Sequence, residues 1–348
     1  MKLLSTIIRI FLVIILFCSL SSFIELKVDA IVDTERVETI SIHSSQLTKV
    51  ENYRRESIQY TRNGETDLAV ESLRNYIIAT GDFSILESSA YINISRDEGF
   101  IRLKNDYTIN FGISEFFYIY IGLIGFFIAF ILNLRRRSDK VANRLLSVFV
   151  LMHSLFLIHT ILYKANYTLY HPHTLHMSTI FSFLYGPILY FYFKRITGNY
   201  VFKKIDALHL LPTLACLIVF IPIYSLSAEE KLKVMLGVGK YDQHPYLGYI
   251  AIMKIMSLMI YGYFTLRMYL KSVNKSITNV SIKADIQKTI IIIHIVYVIS
   301  YSLYAINIMT VGFNGIIFNI QFFAMASLVL FVGYIAIVYT NIQQTIEN

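Results

Sequence analysis

The residues with the most reactive side chains lie in or beside strongly apolar stretches of the chain. The segment "HPHTLH" places three imidazoles close together in sequence, at His171, His173 and His176. Alternating histidines can bind zinc or copper, but no carboxylate or cysteine accompanies them here. They are therefore weak candidates for metal ligands. The alternative is a plain loop at a membrane interface, and we expect no metal or other cofactor.

Lys254 is an ionisable residue in the middle of an apolar stretch. It lies some eight residues into the stretch 246–266, which is about 12 Å below the surface at the rise of an α-helix. A charge at that depth is costly and indicates a functional residue, unless the long side chain reaches back to the surface. Five further polar residues are predicted near the same depth: Glu115, His159, Asn307, Asn319 and Gln321.

These six residues allow two interpretations. They could line an outward-opening ligand-binding pocket with a cationic centre. They could equally form ordinary hydrogen bonds between membrane helices, which is the commoner use of Asn and Gln there. Motifs of catalysis are absent: the sequence has no Gly-x-Ser-x-Gly, no His-Glu-x-x-His and no phosphate-binding glycine loop. We therefore expect a binding protein and not an enzyme.

Composition places the chain in a membrane. Of its 348 residues, 55% are hydrophobic and only 16% are charged, which is too apolar for an ordinary soluble protein. The net charge is +8, yet residues 25–110 carry ten basic and fifteen acidic side chains and so a net charge of −5. The excess of basic residues lies in short links between apolar stretches, which favours a lipid bilayer as partner over direct binding of nucleic acid.

The N-terminal third is predicted to contain two parts. Residues 1–23 combine an early basic residue, an apolar core and small residues, the pattern of a signal peptide or an N-terminal anchor. Residues 24–110 are polar and predict a small extracytoplasmic helical domain. Between Gly64 and Gly81, residues Ala69, Leu73 and Ile77 recur at helical spacing, and the whole resembles one tetratricopeptide-type hairpin.

Residues 111–340 are predicted to form a bundle of seven membrane-spanning helices, with 341–348 as a short cytoplasmic tail. Each stretch is long enough to cross about 30 Å of hydrocarbon. The predicted spans are 113–134, 142–163, 175–193, 207–226, 246–266, 289–310 and 316–339. Every second link is basic, which predicts that these links and the C-terminus are cytoplasmic and that the N-terminal domain is outside. The fold class is therefore an all-α membrane protein in a bacterial inner membrane.

The third predicted span, "FLYGPILYFYFKR", contains Gly186 and Pro187 at its centre. Proline removes a backbone hydrogen bond, so these residues predict a kink in a helix that ends at Lys194 and Arg195. The kink is either a feature of packing or a hinge that moves during signalling.

The same region carries a resemblance to a known family. The stretches Gly186–Tyr192 and His209–Pro212 resemble the membrane-embedded sensor region of AraC-type transcriptional regulators from Bacteroidetes-like bacteria. The resemblance spans about 116–339 and implies an external ligand or protein partner, with output through a cytoplasmic helix-turn-helix domain. That domain is absent from this sequence, so the resemblance covers the sensor part only.

The sequence thus predicts a membrane sensor that forms the input half of a transcriptional signalling protein. Two alternatives stay open: a small-solute transporter, and a receptor that recruits a separate cytoplasmic partner. Assembly as a homodimer is compatible with each of the three.

Overall fold

The computed structural model describes residues 38–134, 139–238, 245–275, 282–310 and 315–347. Every regular element in these ranges is a helix, and they contain no strand. The predicted signal peptide or anchor (1–23), the first part of the predicted N-terminal domain and Arg135–Arg137 lie outside the described residues. We number the longer α-helices α1 to α11 in chain order.

The first three helices form a unit with its own core. They are α1 (Glu38–Asn63), α2 (Thr66–Thr80) and α3 (Glu98–Tyr107), and two short 3₁₀ segments join α2 to α3. Gly81 ends α2 in the left-handed conformation, with φ of 67°, and its N–H bonds the Ile77 carbonyl. The predicted apolar face of α2 is buried. We call residues 38–107 the N-terminal unit, whose core residues are Ala69, Leu73, Ile77, Phe83, Ile85, Leu86, Tyr91, Ile94, Phe100, Leu103 and Tyr107.

Six helical segments in the described part of the chain are long and apolar enough to cross a membrane, so the predicted multi-span membrane protein is confirmed at that level. They belong to α4 (Ile113–Leu134), α5 (Lys140–Lys164), α7 (Leu211–Tyr224) with the 3₁₀ segment before it, α9 (Pro245–Lys275), α10 (Ile282–Thr310) and α11 (Gly315–Glu347). The two remaining numbered helices are α6 (Tyr185–Gly198) and α8 (Ala228–Met235), and a helix of one turn, Tyr167–Tyr170, follows α5.

The third predicted span differs from the expectation. Instead of one long helix, the chain forms a 3₁₀ segment, Ile180–Leu184, that continues directly into α6. All side chains from Ile180 to Pro187 are buried. Hydropathy depends on composition and does not distinguish an α-helix from a 3₁₀ segment. Here the apolar residues fill the interior of the bundle.

Pro187 does not kink the middle of a helix. It is the third residue of α6, and a proline in the first turn forfeits no intrahelical hydrogen bond. The break is the change from 3₁₀ to α geometry two residues earlier. Gly186 is required for a different reason: a Cβ there would lie 2.8 Å from Cδ2 of Tyr261, so the glycine allows α6 to approach α9 closely.

The long helices pack as a closed ring. In order around it, α4 packs on α5, α5 on α6, α6 on α9, α9 on α10, α10 on α11, and α11 back on α4. The helix α7 joins this ring through the 3₁₀ segment Ile180–Leu184. The largest hydrophobic cluster fills the space between α4, α5, α6, α10 and α11.

The links between the helices lie on two faces. On one face the N-terminal unit packs against Leu169, Leu232 and Leu236, which follow α5 and α7. There the Asn166 side chain donates to the carbonyls of Asn105 and Thr108, at 2.8 and 3.0 Å. On the other face the links after α4 and α6 are joined, because Arg195 Nε donates to Asp139 Oδ2 at 2.5 Å. Among the described links, those after α5 and α7 therefore share one face, and those after α4 and α6 share the other.

Candidate functional site

Lys254 lies in the interior of the ring, on α9. The residue is 2% exposed, and its ammonium nitrogen Nζ lies over three aromatic rings. The distances from Nζ to the ring centroids are 3.9 Å for Tyr301, 4.6 Å for Phe156 and 5.6 Å for Tyr185. These rings come from α10, α5 and α6, so four helices meet at this point. We call Lys254 and the three rings the core cage.

The charge of Lys254 is met by rings and not by a carboxylate. An aromatic face carries a negative quadrupole that attracts a cation within about 6 Å. Of the described carboxylates, none forms an ion pair with Lys254. Glu115, the carboxylate predicted near the same depth, accepts from Lys164 Nζ at 2.6 Å and from Ser114 at 2.9 Å. The buried position of Nζ also differs from that of a side chain that reaches back to the surface.

His153 and Tyr297 add polar atoms beside the core cage. The His153 ring lies 4.5 Å from the Tyr185 ring and 5.9 Å from the Tyr297 ring, centroid to centroid. His153 Nδ1 donates to the Phe149 carbonyl at 2.9 Å, which in a neutral ring leaves Nε2 as a hydrogen-bond acceptor. Within the described chain, neither Nε2 nor the Tyr297 hydroxyl has a hydrogen-bond partner. Buried polar atoms are nearly always paired, so these two set the site apart from an ordinary apolar core.

His159 serves packing on the face of the N-terminal unit. Its Nδ1 lies 2.7 Å from the Ser178 hydroxyl, and its Nε2 lies 2.7 Å from the Thr174 carbonyl. Both ring nitrogens are therefore occupied. The histidine holds the loop that leads from α5 to the 3₁₀ segment. Of the two interpretations of the six polar residues, this arrangement fits ordinary hydrogen bonding and not a ligand pocket.

The three predicted amides lie in different environments. Gln321 is 1% exposed, and its Oε1 has no partner among the described residues. Asn307 is half-buried, and its Oδ1 likewise has no hydrogen-bond partner among the described residues. Asn319 is exposed, although its backbone carbonyl accepts from the Tyr118 hydroxyl at 3.4 Å. No described hydrogen bond or ion pair joins Lys254 to any of the other five predicted residues.

The three loop histidines contact different neighbours. His171 stacks on Tyr167, His173 lies 2.8 Å from Lys231 Nζ, and His176 packs on Phe220. In the described ranges no three His, Cys, Asp or Glu side chains are grouped as metal ligands would be. The ammonium of Lys231 beside His173 Nδ1 also disfavours a cation at that nitrogen.

A cleft of about 270 Å³ lies between the N-terminal unit and α8. Glu229 and Lys233 form an ion pair of 2.6 Å along its rim. At its base a Cβ on Gly81 would lie 2.7 Å from Cδ2 of Leu232, so α2 and α8 are in close contact. The cleft is lined by Leu47, Val50, Ile78, Ala79, Thr80, Gly81, Glu229, Leu232, Lys233 and Leu236.

The opposite face is held together by charge. Partial burial raises the pKa of Asp139, but the Arg195 guanidinium and the backbone N–H groups of Val141 and Ala142 outweigh it, so the pKa lies below its ordinary value. Asp139 is thus both the N-cap of α5 and a link to α6. Beside it Lys194 Nζ lies 3.7 Å from the ring centroid of Tyr200.

Comparison with protein-family models, characterised proteins and solved structures finds no match to the chain. The resemblance to AraC-type regulators therefore rests on the residues quoted for it.

The sequence reasoning missed the aromatic members of the site. A signal was present on α10, where His294, Tyr297 and Tyr301 recur at helical spacing and so share one face. Phe156 and Tyr185 carried no such signal, because only the ring arrangement of the helices brings them to Lys254.

Proposed function

We propose that the protein is a membrane sensor, with seven spans, that forms the input half of a transcriptional signalling protein. In addition to the six long apolar helical segments, the 3₁₀ segment Ile180–Leu184 and α6 act together as the third of these spans. At about 2.0 and 1.5 Å per residue they reach roughly 31 Å, the thickness of the hydrocarbon core. The N-terminal unit lies outside the cytoplasm and the end of α11 lies inside, in a bacterial inner membrane.

One observation carries this proposal: the links of the bundle pack against the core of the N-terminal unit. Leu169, Leu232 and Leu236 belong to those links and are the partly buried residues in contact with that core. A ligand or protein that displaces the unit therefore displaces α8, which connects α7 to α9. Binding can shift a two-state bundle only through such a difference in contacts.

The helix α11 is long enough to extend beyond the membrane at the end of the bundle away from the N-terminal unit. With 33 residues α11 is about 50 Å long, some 20 Å more than the hydrocarbon core requires. We propose that α11 carries the change into the cytoplasm, where a helix-turn-helix domain or a separate partner responds. The chain itself binds no nucleic acid in this account, and a homodimer would let two α11 helices act together.

The test is a reporter whose output depends on the arrangement of α11. A DNA-binding domain that is active only as a dimer is fused after Asn348, and transcription is measured in cells. Leu232→Ala loosens the contact between the N-terminal unit and α8, and we expect it to change output at unchanged membrane level. Ile92→Ala is the matched control, because Ile92 is a 70% exposed residue of the same unit.

Equal output from both variants and the parent would contradict a sensor. Uptake of solutes by proteoliposomes is measured on the same variants. Transport by the parent without any change in reporter output would favour the transporter instead.

A further inference from the structure

The core cage contains a buried ionisable nitrogen, Nζ of Lys254, whose described ring neighbours are neutral. Lys254 Nζ is surrounded by three rings, and the described carboxylate closest to it in predicted depth, Glu115, is paired with Lys164. An ionisable group inside a membrane bundle generally has a specific partner. A second cation would be repelled by the ammonium of Lys254, so the expected partner is an anion.

Polar atoms beside the rings of the core cage narrow the class of anion, since the His153 ring lies 4.5 Å from the Tyr185 ring and the Tyr297 ring lies 6.1 Å from the Tyr301 ring, centroid to centroid. The Tyr297 hydroxyl is a second donor without a protein partner, and the residue is 0% exposed. A carboxylate has two oxygens and accepts from an ammonium and a hydroxyl at once, whereas a halide is a single sphere. His153 Nε2 remains as an acceptor for a hydroxyl group on the ligand.

The walls of the site suit a flat apolar body. Phe156, Tyr185 and Tyr301 provide aromatic faces on which a planar group can stack. Met152 and Met325 belong to the same hydrophobic cluster, and methionine side chains adapt their shape to a guest more readily than branched ones.

We infer that the core cage binds a small aromatic monocarboxylate, with Lys254 as its counter-ion and the Tyr297 hydroxyl as its second donor. In the free protein the aromatic faces hold the ammonium, and the flexible lysine stem moves it from the rings to the carboxylate. The site lies about 10 Å inside the apolar segment of α9, since Lys254 is seven residues beyond Leu247, where that segment begins. As an input to signalling, the site rests on the proposed sensor function; as a binding site, it does not.

The experiment measures thermal unfolding of the purified full chain in detergent, at constant ionic strength, over a titration with sodium benzoate. Benzamide is the neutral probe of the same shape, and sodium chloride is the probe for a bare anion. The variants are Lys254→Met and Tyr297→Phe. Lys194→Met is the matched control, because Lys194 also lies over an aromatic ring but on the opposite face of the bundle.

We expect benzoate to raise the Tm of the parent and of Lys194→Met with the same midpoint concentration, and benzamide to have no such effect. Lys254→Met should abolish the rise. Tyr297→Phe should leave Tm without ligand unchanged and move the midpoint roughly tenfold higher, the usual effect of losing one hydrogen bond to a charged group.

Four results would overturn the inference: no benzoate response in the parent, an equal response to benzamide, a benzoate response that survives in Lys254→Met, or a response to chloride alone. Should Lys254→Met not fold, the midpoint shift of Tyr297→Phe decides. None of these outcomes involves reporter output, so failure of the site leaves the sensor proposal to its own test.

Discussion

The ammonium of Lys254 lies 3.9 Å from the ring centroid of Tyr301, which joins the neighbouring helices α9 and α10. A desolvated cation–π contact contributes about 2 kcal/mol. Tyr301→Leu should therefore lower the free energy of unfolding, while Tyr301→Phe keeps the ring and should cost little. In a double-mutant cycle with Lys254→Met we expect a coupling of about 2 kcal/mol. Strictly additive effects would show that the ring does not hold the charge.

The ion pair of Glu115 and Lys164 predicts a different pattern. Glu115→Gln leaves the Lys164 ammonium without its partner and should destabilise the protein by on the order of 2 kcal/mol, as for a hydrogen bond between charged groups. Its effect should add to that of Lys254→Met, since the two sites are separate. Rescue of Glu115→Gln by Lys254→Met would indicate that these two residues are the real pair.

Most of the fold could be predicted from the sequence, because hydropathy and helical spacing are local properties. The spans α4 and α5 begin and end within two residues of their predicted limits. The site could not be predicted in the same way. The core cage forms only because four helices of the ring bring together Phe156, Tyr185, Lys254 and Tyr301. Glu115 pairs with Lys164 because α4 and α5 are neighbours. Depth alone places residues at a level and does not say which helices face one another.

The junction at Gly186 gives a steric prediction. Gly186→Ala would bring a Cβ to 2.8 Å from the Tyr261 ring and should lower stability by about 1–3 kcal/mol, the usual cost of overpacking. Gly198→Ala, at the end of the same helix, is the control because no atom lies within 4 Å of its Cβ position. Thermal unfolding of both variants is the measurement, and equal loss in the two would refute the close approach of α6 and α9.

Pro187→Ala tests whether the junction moves during signalling. Because Pro187 lies in the first turn of α6, its replacement should leave the fold and membrane level unchanged. If the 3₁₀–α junction is a hinge, reporter output should change. Unaltered output at normal expression would assign the proline to packing.

The pair of Asp139 and Arg195 gives a dependence on pH. The pKa of Asp139 is lowered from its ordinary 3.8, so the carboxylate contributes stability that is complete above about pH 5 and is lost as pH falls through the lowered value. Asp139→Asn keeps a capping side chain but has no proton to gain. The free energy of unfolding, measured from pH 6 to pH 3, should therefore fall more steeply for the parent than for Asp139→Asn. Parallel curves for the two proteins would contradict this.

Topology tests the count of spans. A reporter enzyme that works only outside the cytoplasm should be active when fused after Tyr107, His171 or Gly237, and inactive after Lys140, Asn199 or Lys275. The decisive comparison is His171 with Asn199, because it asks whether the 3₁₀ segment and α6 cross the membrane. Equal activity at these two fusions would leave six spans.

A change at the N-terminal unit should reach the other end of α11, and hydrogen–deuterium exchange on the full chain measures this. Exchange is compared between the parent, Leu232→Ala and the control Ile92→Ala. We expect Leu232→Ala to alter exchange in 38–107 and 228–238, and also at 335–347 of α11, whereas Ile92→Ala should leave 335–347 unchanged. Altered exchange confined to the N-terminal unit and α8, with 335–347 the same in all three proteins, would contradict it.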